Sequence, residues 1–138
     1  MKTTRQPRYG DIFAGNDNGA AMAEFARIKW AEYKSDLEGR GLWSVARANT
    51  LDRMIRMQTE YEFYYPVALA EGPVKLSEDG GQYVNMLWSN CQKLNEGISK
   101  LEKSLMLTPE SMGEKAPAKP KGQAASPADK YLARQAAH

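Results

Sequence analysis

The chain of 138 residues contains one cysteine, one histidine and three phenylalanines, and it has no apolar run long enough to span a bilayer. Each shortage excludes something. With Cys91 as the only cysteine there is no disulfide framework, and a reducing compartment is expected. The one histidine, His138, is the last residue, so no His-based triad and no His metal site is available, and one Cys with one His cannot form a zinc finger. The first residues lack the apolar stretch of a signal peptide, which with the missing span predicts a soluble cytosolic protein without membrane contact. Asp79-Gly80-Gly81 is no phosphate loop, because the Walker pattern and its Lys-Ser/Thr are missing. Glu32, Asp36, Glu60 and Glu62 are scattered among bases, as on solvated helix faces. These gaps argue against an enzyme and call for neither cofactor nor metal.

What is present is a regular apolar pattern. Val84, Leu87, Cys91, Leu94, Ile98, Leu101 and Leu105 recur in alternating steps of three and four, the seam of a helix that packs against another helix. Cys91 lies on this seam and reads as a small buried hydrophobe. Length allows one domain. The formal charge of +2 divides unevenly: residues 1–10 carry +3, residues 114–138 carry +3, and the 103 residues between them carry −4. An acidic body with two basic ends suits a polyanion partner, and it equally suits ordinary solubility.

Local signals set the elements. Residues 1–19, with Pro7, Gly10, Gly15 and Gly19, predict a flexible basic arm. A first helix is expected from Ala20 to Glu38, closed by Gly39 and Gly41, with Ala23, Ala26, Trp30, Tyr33 and Leu37 on its apolar stripe. Ser44 is the expected N-cap of a second helix reaching Ala70, stopped at Glu71-Gly72-Pro73 and kinked by Pro66. Val74-Lys75-Leu76 and Gln82-Tyr83-Val84 flank a Gly-rich turn and predict a β-hairpin. The seam helix follows from Asn85 to Leu105; Gly97 weakens it by about 1 kcal/mol relative to Ala and permits close approach of a neighbouring helix. Thr108 is the expected cap of a short helix that starts at Pro109. Residues 114–125 read as an Ala/Pro/Lys linker, and residues 126–138, with Ser126-Pro127 opening two amphipathic turns, read as a docking tip or a tail without a role. The expected fold is mainly α, with residues 20–113 as a helical oligomerisation core: a helical hairpin with a long kinked second helix, a short β-hairpin and a heptad-patterned third helix.

In this order the chain resembles the small subunit of bacteriophage terminases, in the family with a C-terminal Leu-Thr-Pro-x-Ser signature. Trp30, Tyr33 and Leu37 leading into Gly41-Leu42 are similar to that family's Trp-anchored first helix and its Gly-Leu exit. Leu51 matches the apolar start of the second helix, and Gly80-Gly81 the glycine-bearing hairpin. Leu105 to Met112 resembles the terminal Leu-Gly-Leu-Thr-Pro-x-x-Arg segment. The resemblance covers residues 24–113. Arg47 stands where an acid is common in the family, Met112 or Gly113 where its Arg is expected, and Gly10-Asp11-Ile12-Phe13 where its basic N-terminal motif lies. The resemblance implies a non-enzymatic homo-oligomeric ring in the host cell cytoplasm that binds double-stranded viral DNA and regulates the large ATPase/nuclease subunit.

The candidate DNA contacts are Lys2, Arg5 and Arg8 in the arm and Arg47, Arg53 and Arg56 on the second helix. Arg53 and Arg56 share a helix face, and ion pairing with Asp52 or Glu60 is the competing role for them. Subunit contacts are expected from Tyr61, Tyr65, Leu87, Leu94, Ile98 and Leu101, and large-subunit docking from Lys130, Tyr131, Leu132 and Arg134. The alternative is a structural helical oligomer, scaffold or adaptor, without DNA binding. A dimeric helix-turn-helix regulator fits less well, since the helix after the Gly39 to Trp43 turn is too long for a recognition helix.

Overall fold

The computed structural model describes residues 5–113. Two long helices form because their sequences hold strong helix formers between clear punctuation. Helix α2 (Gly19–Gly39) ends in a Schellman motif: the Gly41 amide donates to the Glu38 carbonyl at 3.0 Å and the Leu42 amide to the Leu37 carbonyl at 2.8 Å. Gly41 takes the required left-handed backbone, φ 69°. Helix α3 (Val45–Glu71) starts at Ser44, whose hydroxyl accepts the Arg47 amide at 3.1 Å, and it runs through Pro66 to Gly72.

The hairpin follows at the expected residues. Strands β1 (Val74–Leu76) and β2 (Gln82–Val84) pair antiparallel, with Val74 opposite Val84, Lys75 opposite Tyr83 and Leu76 opposite Gln82. Helix α4 (Met86–Ser104) then carries the seam back along α3. At Gly97 the end of the Met57 side chain fills the space that a Cβ would take.

The core lies between α2, α3 and the end of the seam. Trp30, Leu37, Leu51, Met54, Ile55 and Leu105 are buried in one cluster, partly covered by Tyr33, Leu42, Trp43 and Leu101. Trp30 and Trp43 meet edge to face at 5.5 Å between centroids, and Phe25 and Phe63 do so at 6.3 Å. Each fully buried Leu or Ile contributes about 1.5–3 kcal/mol.

Two expectations change. First, residues 9–19 are not an irregular arm. Tyr9, Ile12 and Phe13 form the face of a short helix, α1 (Tyr9–Ile12), and Tyr9 and Phe13 are buried in the main core. The Tyr9 hydroxyl donates to Asp52 Oδ1 at 3.1 Å, and the Tyr64 hydroxyl to Asn16 Oδ1 at 2.6 Å, so both ends of this segment are tied to α3. Gly19 opens α2 because a Cβ there would collide with the Phe13 carbonyl. The seam packs along α3 of the same chain, as the spacing of a helix-packing face predicts. Cys91, Ile98 and Leu105 are buried, Leu87, Leu94 and Leu101 half-buried, and Val84 lies on β2 rather than on the helix. Second, no helix follows Thr108 within the described residues. Residues 108–113 make turns, closed by Thr108 and Ser111: each backbone amide donates to the other's hydroxyl at 3.1 Å.

The ends of α2 and α4 are joined by a residue that sequence patterns did not single out. The Arg40 guanidinium grips Asp36 Oδ2 at 2.7 and 3.0 Å and donates to the Met106 carbonyl at 2.8 Å. Met106 is the only residue other than glycine with positive φ among the described residues, at 59°. It occupies the C′ position of a second Schellman motif, in which Leu107 donates to Glu102 at 2.9 Å and Met106 to Lys103 at 3.0 Å.

Candidate assembly and nucleic-acid interface

Most cations of the helical body are already engaged. Arg27 pairs with Glu24, Lys29 with Glu32, Lys34 with Glu38, Arg40 with Asp36, Arg56 with Asp52 and Lys75 with Glu71, each three or four residues apart. Lys29 and Lys34 also lie over the Phe25 and Trp43 rings, at 5.8 and 5.6 Å. Such exposed pairs add little stability, but each neutralises a charge that a phosphate would otherwise meet.

The six candidate DNA residues therefore separate. Lys2 lies outside the described residues. Arg5 and Arg8 are exposed and without ion pairs among the described residues. Arg53 is exposed and equally free of an acid partner among them. Arg47 is half-buried and donates to the Leu42 carbonyl at 3.0 Å, which fastens the α2–α3 turn. Arg56 forks onto Asp52 at 2.9 and 3.1 Å, and Asp52 also accepts from Tyr9. So Arg53 and Arg56, read as one face, have different surroundings.

A further row of cations lies on α4. Lys93, Lys100 and Lys103 are exposed and make no ion pair among the described residues; Glu96 and Glu102 lie between them in the sequence. The spacing of seven and three places them along one side of the helix.

The expected assembly residues also divide. Ile98 is 7 % exposed and Leu101 packs on the core, so both are used within the chain. Tyr61 and Tyr65 stack at 4.9 Å, with Trp88 6.2 Å from Tyr65. Leu87 and Leu94 line a cleft of about 450 Å³ between α3 and α4, with Met57, Glu60, Tyr64, Asn90, Cys91 and Lys93. Burial pushes the Cys91 thiol above its ordinary pKa, which keeps it protonated and unreactive.

The large exposed hydrophobic side chains are concentrated elsewhere. Val67, Leu69, Val74, Leu76, Tyr83, Val84 and Met86 lie at the end of α3, on the hairpin and at the start of α4; only Ile28 and Val45 lie outside this region. Asn85 holds that end together. It is 2 % exposed, its amide nitrogen donates to the Gly72 carbonyl at 2.8 Å and to Glu71 Oε2 at 3.2 Å, and its Oδ1 accepts the Leu87 amide at 3.1 Å as the α4 cap. At the hairpin turn, hydrogen bonds from Ser77 and the Gly81 amide hold the exposed Asp79 carboxyl below its usual range.

The expected docking residues Lys130, Tyr131, Leu132 and Arg134 lie outside the described residues, as do the linker and tip. Among the described residues no group of three His, Cys, Asp or Glu comes together to hold a metal ion, and no helix is long and apolar enough to cross a membrane. No protein-family model, curated protein or solved structure matches the chain.

Proposed function

We propose that the protein is the small subunit of a phage DNA-packaging terminase: a homo-oligomeric ring in the host cytoplasm that binds double-stranded viral DNA and regulates a large ATPase/nuclease subunit. One observation carries the reading. The order α2, Gly41-Leu42 turn, α3, Gly-centred hairpin, α4 and Leu107-Thr108-Pro109 is the order that the sequence resemblance requires. The apolar hairpin end supports assembly, because exposed side chains of this size and number in one region mark an interaction surface. A ring also turns weak phosphate contacts from Arg5, Arg8 and Arg53 into useful avidity by repetition. The linker and tip at residues 114–138 would carry the contact to the large subunit.

The competing reading is a helical scaffold without DNA binding. It is favoured by the six local ion pairs, which leave the body of the chain acidic overall. Sedimentation of the full chain with and without duplex DNA, at low and high salt, separates the two. The terminase reading predicts a large particle that retains DNA at low salt and releases it at high salt. A large particle that ignores DNA supports the scaffold, and a monomer contradicts both.

A further inference from the structure

One buried polar atom of the helical body has no partner. Gln58 stands on α3, and its side-chain nitrogen donates to the Tyr33 hydroxyl at 3.1 Å. Its Oε1 is shielded from solvent and accepts no hydrogen bond among the described residues. An acceptor removed from water without a donor is unfavourable, and native structures leave few of them. Gln58 lines a recess of about 250 Å³ walled by residues of α2, α3 and α4.

The recess has a chemistry of its own. Phe25, Tyr33 and Tyr61 give it aromatic walls. Glu62 and Glu102 add two carboxylates that make no ion pair among the described residues. Lys29 also lines it, but its ammonium is turned to Glu32 at 3.5 Å and lies over the Phe25 ring at 5.8 Å. An orphaned acceptor, two unpaired carboxylates and aromatic faces are together the surroundings of an ammonium group, which has three hydrogens to donate and no acceptor of its own. An anion would meet the carboxylates, and a neutral donor would satisfy Gln58 alone.

The chain supplies such a group close by. Asn95 and Glu102 of the lining lie within the last ten residues of α4, so the recess reaches to within about 14 Å of the helix end at its furthest lining residue. Beyond Gly113 the sequence continues through Lys115, Lys119 and Lys121, with Glu114 as the one acid among residues 114–121. Those eight residues span up to about 27 Å when extended.

We propose that residues 114–121 fold back on the body, and that the ammonium of Lys119 or Lys121 fills the recess, donating to Gln58 Oε1 and to Glu62 and Glu102. The contact anchors the C-terminal segment and withdraws one of its cations from any polyanion. It is made within one copy and does not depend on the ring or DNA readings.

Carbodiimide coupling of the full chain tests this, because it joins a carboxylate only to an amine in direct contact, and mass spectrometry of the peptides names both residues. Lys75 and Glu71, 3.0 Å apart and outside the recess, are the internal control. The expected result is a link from Glu62 or Glu102 to Lys119 or Lys121. When unlabelled and isotope-labelled chains are refolded together, that link should join peptides of one label only. Methylguanidinium chloride should lower its yield several-fold relative to the same concentration of sodium chloride, and leave the control link unchanged. Gln58→Leu, at unchanged helix content, should lower it likewise. A control link without any link to Lys119 or Lys121 overturns the proposal. Links found only between unlabelled and labelled peptides put another copy's lysine in the recess and overturn it as well. A link that keeps its yield in methylguanidinium, or in a folded Gln58→Leu chain, is a surface encounter outside the recess and also overturns it.

Discussion

Replacing Asn85 by Ala removes three hydrogen bonds at the one point where α3, the hairpin and α4 meet. The Leu87 amide loses its cap acceptor, which costs about 1 kcal/mol. The Gly72 carbonyl loses its side-chain donor beside a residue only 2 % exposed, which costs about 1–2 kcal/mol. The contact to Glu71 reaches an exposed carboxylate that water solvates equally well, so its loss adds little. The total is about 2–3 kcal/mol, or roughly 6–15 °C in Tm for a domain of this size. Asn85→Asp is the informative companion. It keeps the cap acceptor, yet it places a second carboxylate beside Glu71 and still offers no donor to Gly72. Its deficit should therefore shrink when the pH is lowered through the carboxylate range, whereas that of Asn85→Ala should not. Urea unfolding followed by circular dichroism at one fixed protein concentration measures both, and fixed concentration matters because assembly adds to apparent stability. An Asn85→Ala variant within 0.5 kcal/mol of the natural chain would refute the reasoning that this side chain fastens the hairpin end.

Tyr9→Ala should cost about 3–5 kcal/mol, since it empties a fully buried aromatic site, and the loss is read in the same unfolding assay. Burial, reinforced by the Asp52 carboxylate, pushes the Tyr9 phenol above its ordinary value of 10.0. A group whose folded pKa is raised contributes stability below its unfolded pKa and loses it as pH climbs from about 10 toward the folded value. Tyr9→Phe should consequently show a shallower alkaline loss of stability in unfolding curves taken from pH 9 upward. Met106→Gly should stabilise the chain by about 0.5–1 kcal/mol in urea unfolding, because Met106 holds a left-handed backbone conformation that costs a side chain of its kind about 1–2 kcal/mol, partly offset by packing it loses. In DNA retention across a salt series, Arg53→Ala should lower the salt slope, while Arg47→Ala should leave the slope alone and cost about 1 kcal/mol of folding stability through the Leu42 carbonyl.

Elements with punctuation in the chain were legible. Ser44, Gly72-Pro73 and Asp79-Gly80-Gly81 each carry a local backbone preference, and α3, β1 and β2 fall within a residue of where those signals place them. Periodicity revealed that α4 has one apolar side for a neighbouring helix, and α3 of the same chain covers it, with Met57 against Gly97. Tyr9, Ile12 and Phe13 have helical spacing, but four residues are too few to register beside Pro7 and Gly10, and their burial depends on Asp52, 43 residues away. Charge was legible and its engagement was not. Asp52 four residues before Arg56 could be read as an ion pair, whereas the carbonyl that receives Arg47 depends on the shape of the Gly41-Leu42 turn. Asn85 and Arg40 carry no such signal, because their partners are carbonyls that only the folded backbone brings to them. Alternation along both strands puts Val74, Leu76 and Val84 on one face of the hairpin with Gln82, and Lys75 and Tyr83 on the other.

The proposed function requires this protomer to be one unit of a closed ring. Native mass spectrometry of the full chain, sprayed from a volatile salt solution, tests it most directly. A closed ring gives one dominant species with a fixed number of copies well above two. A monomer, or a concentration-dependent series of sizes without a closed form, would contradict it.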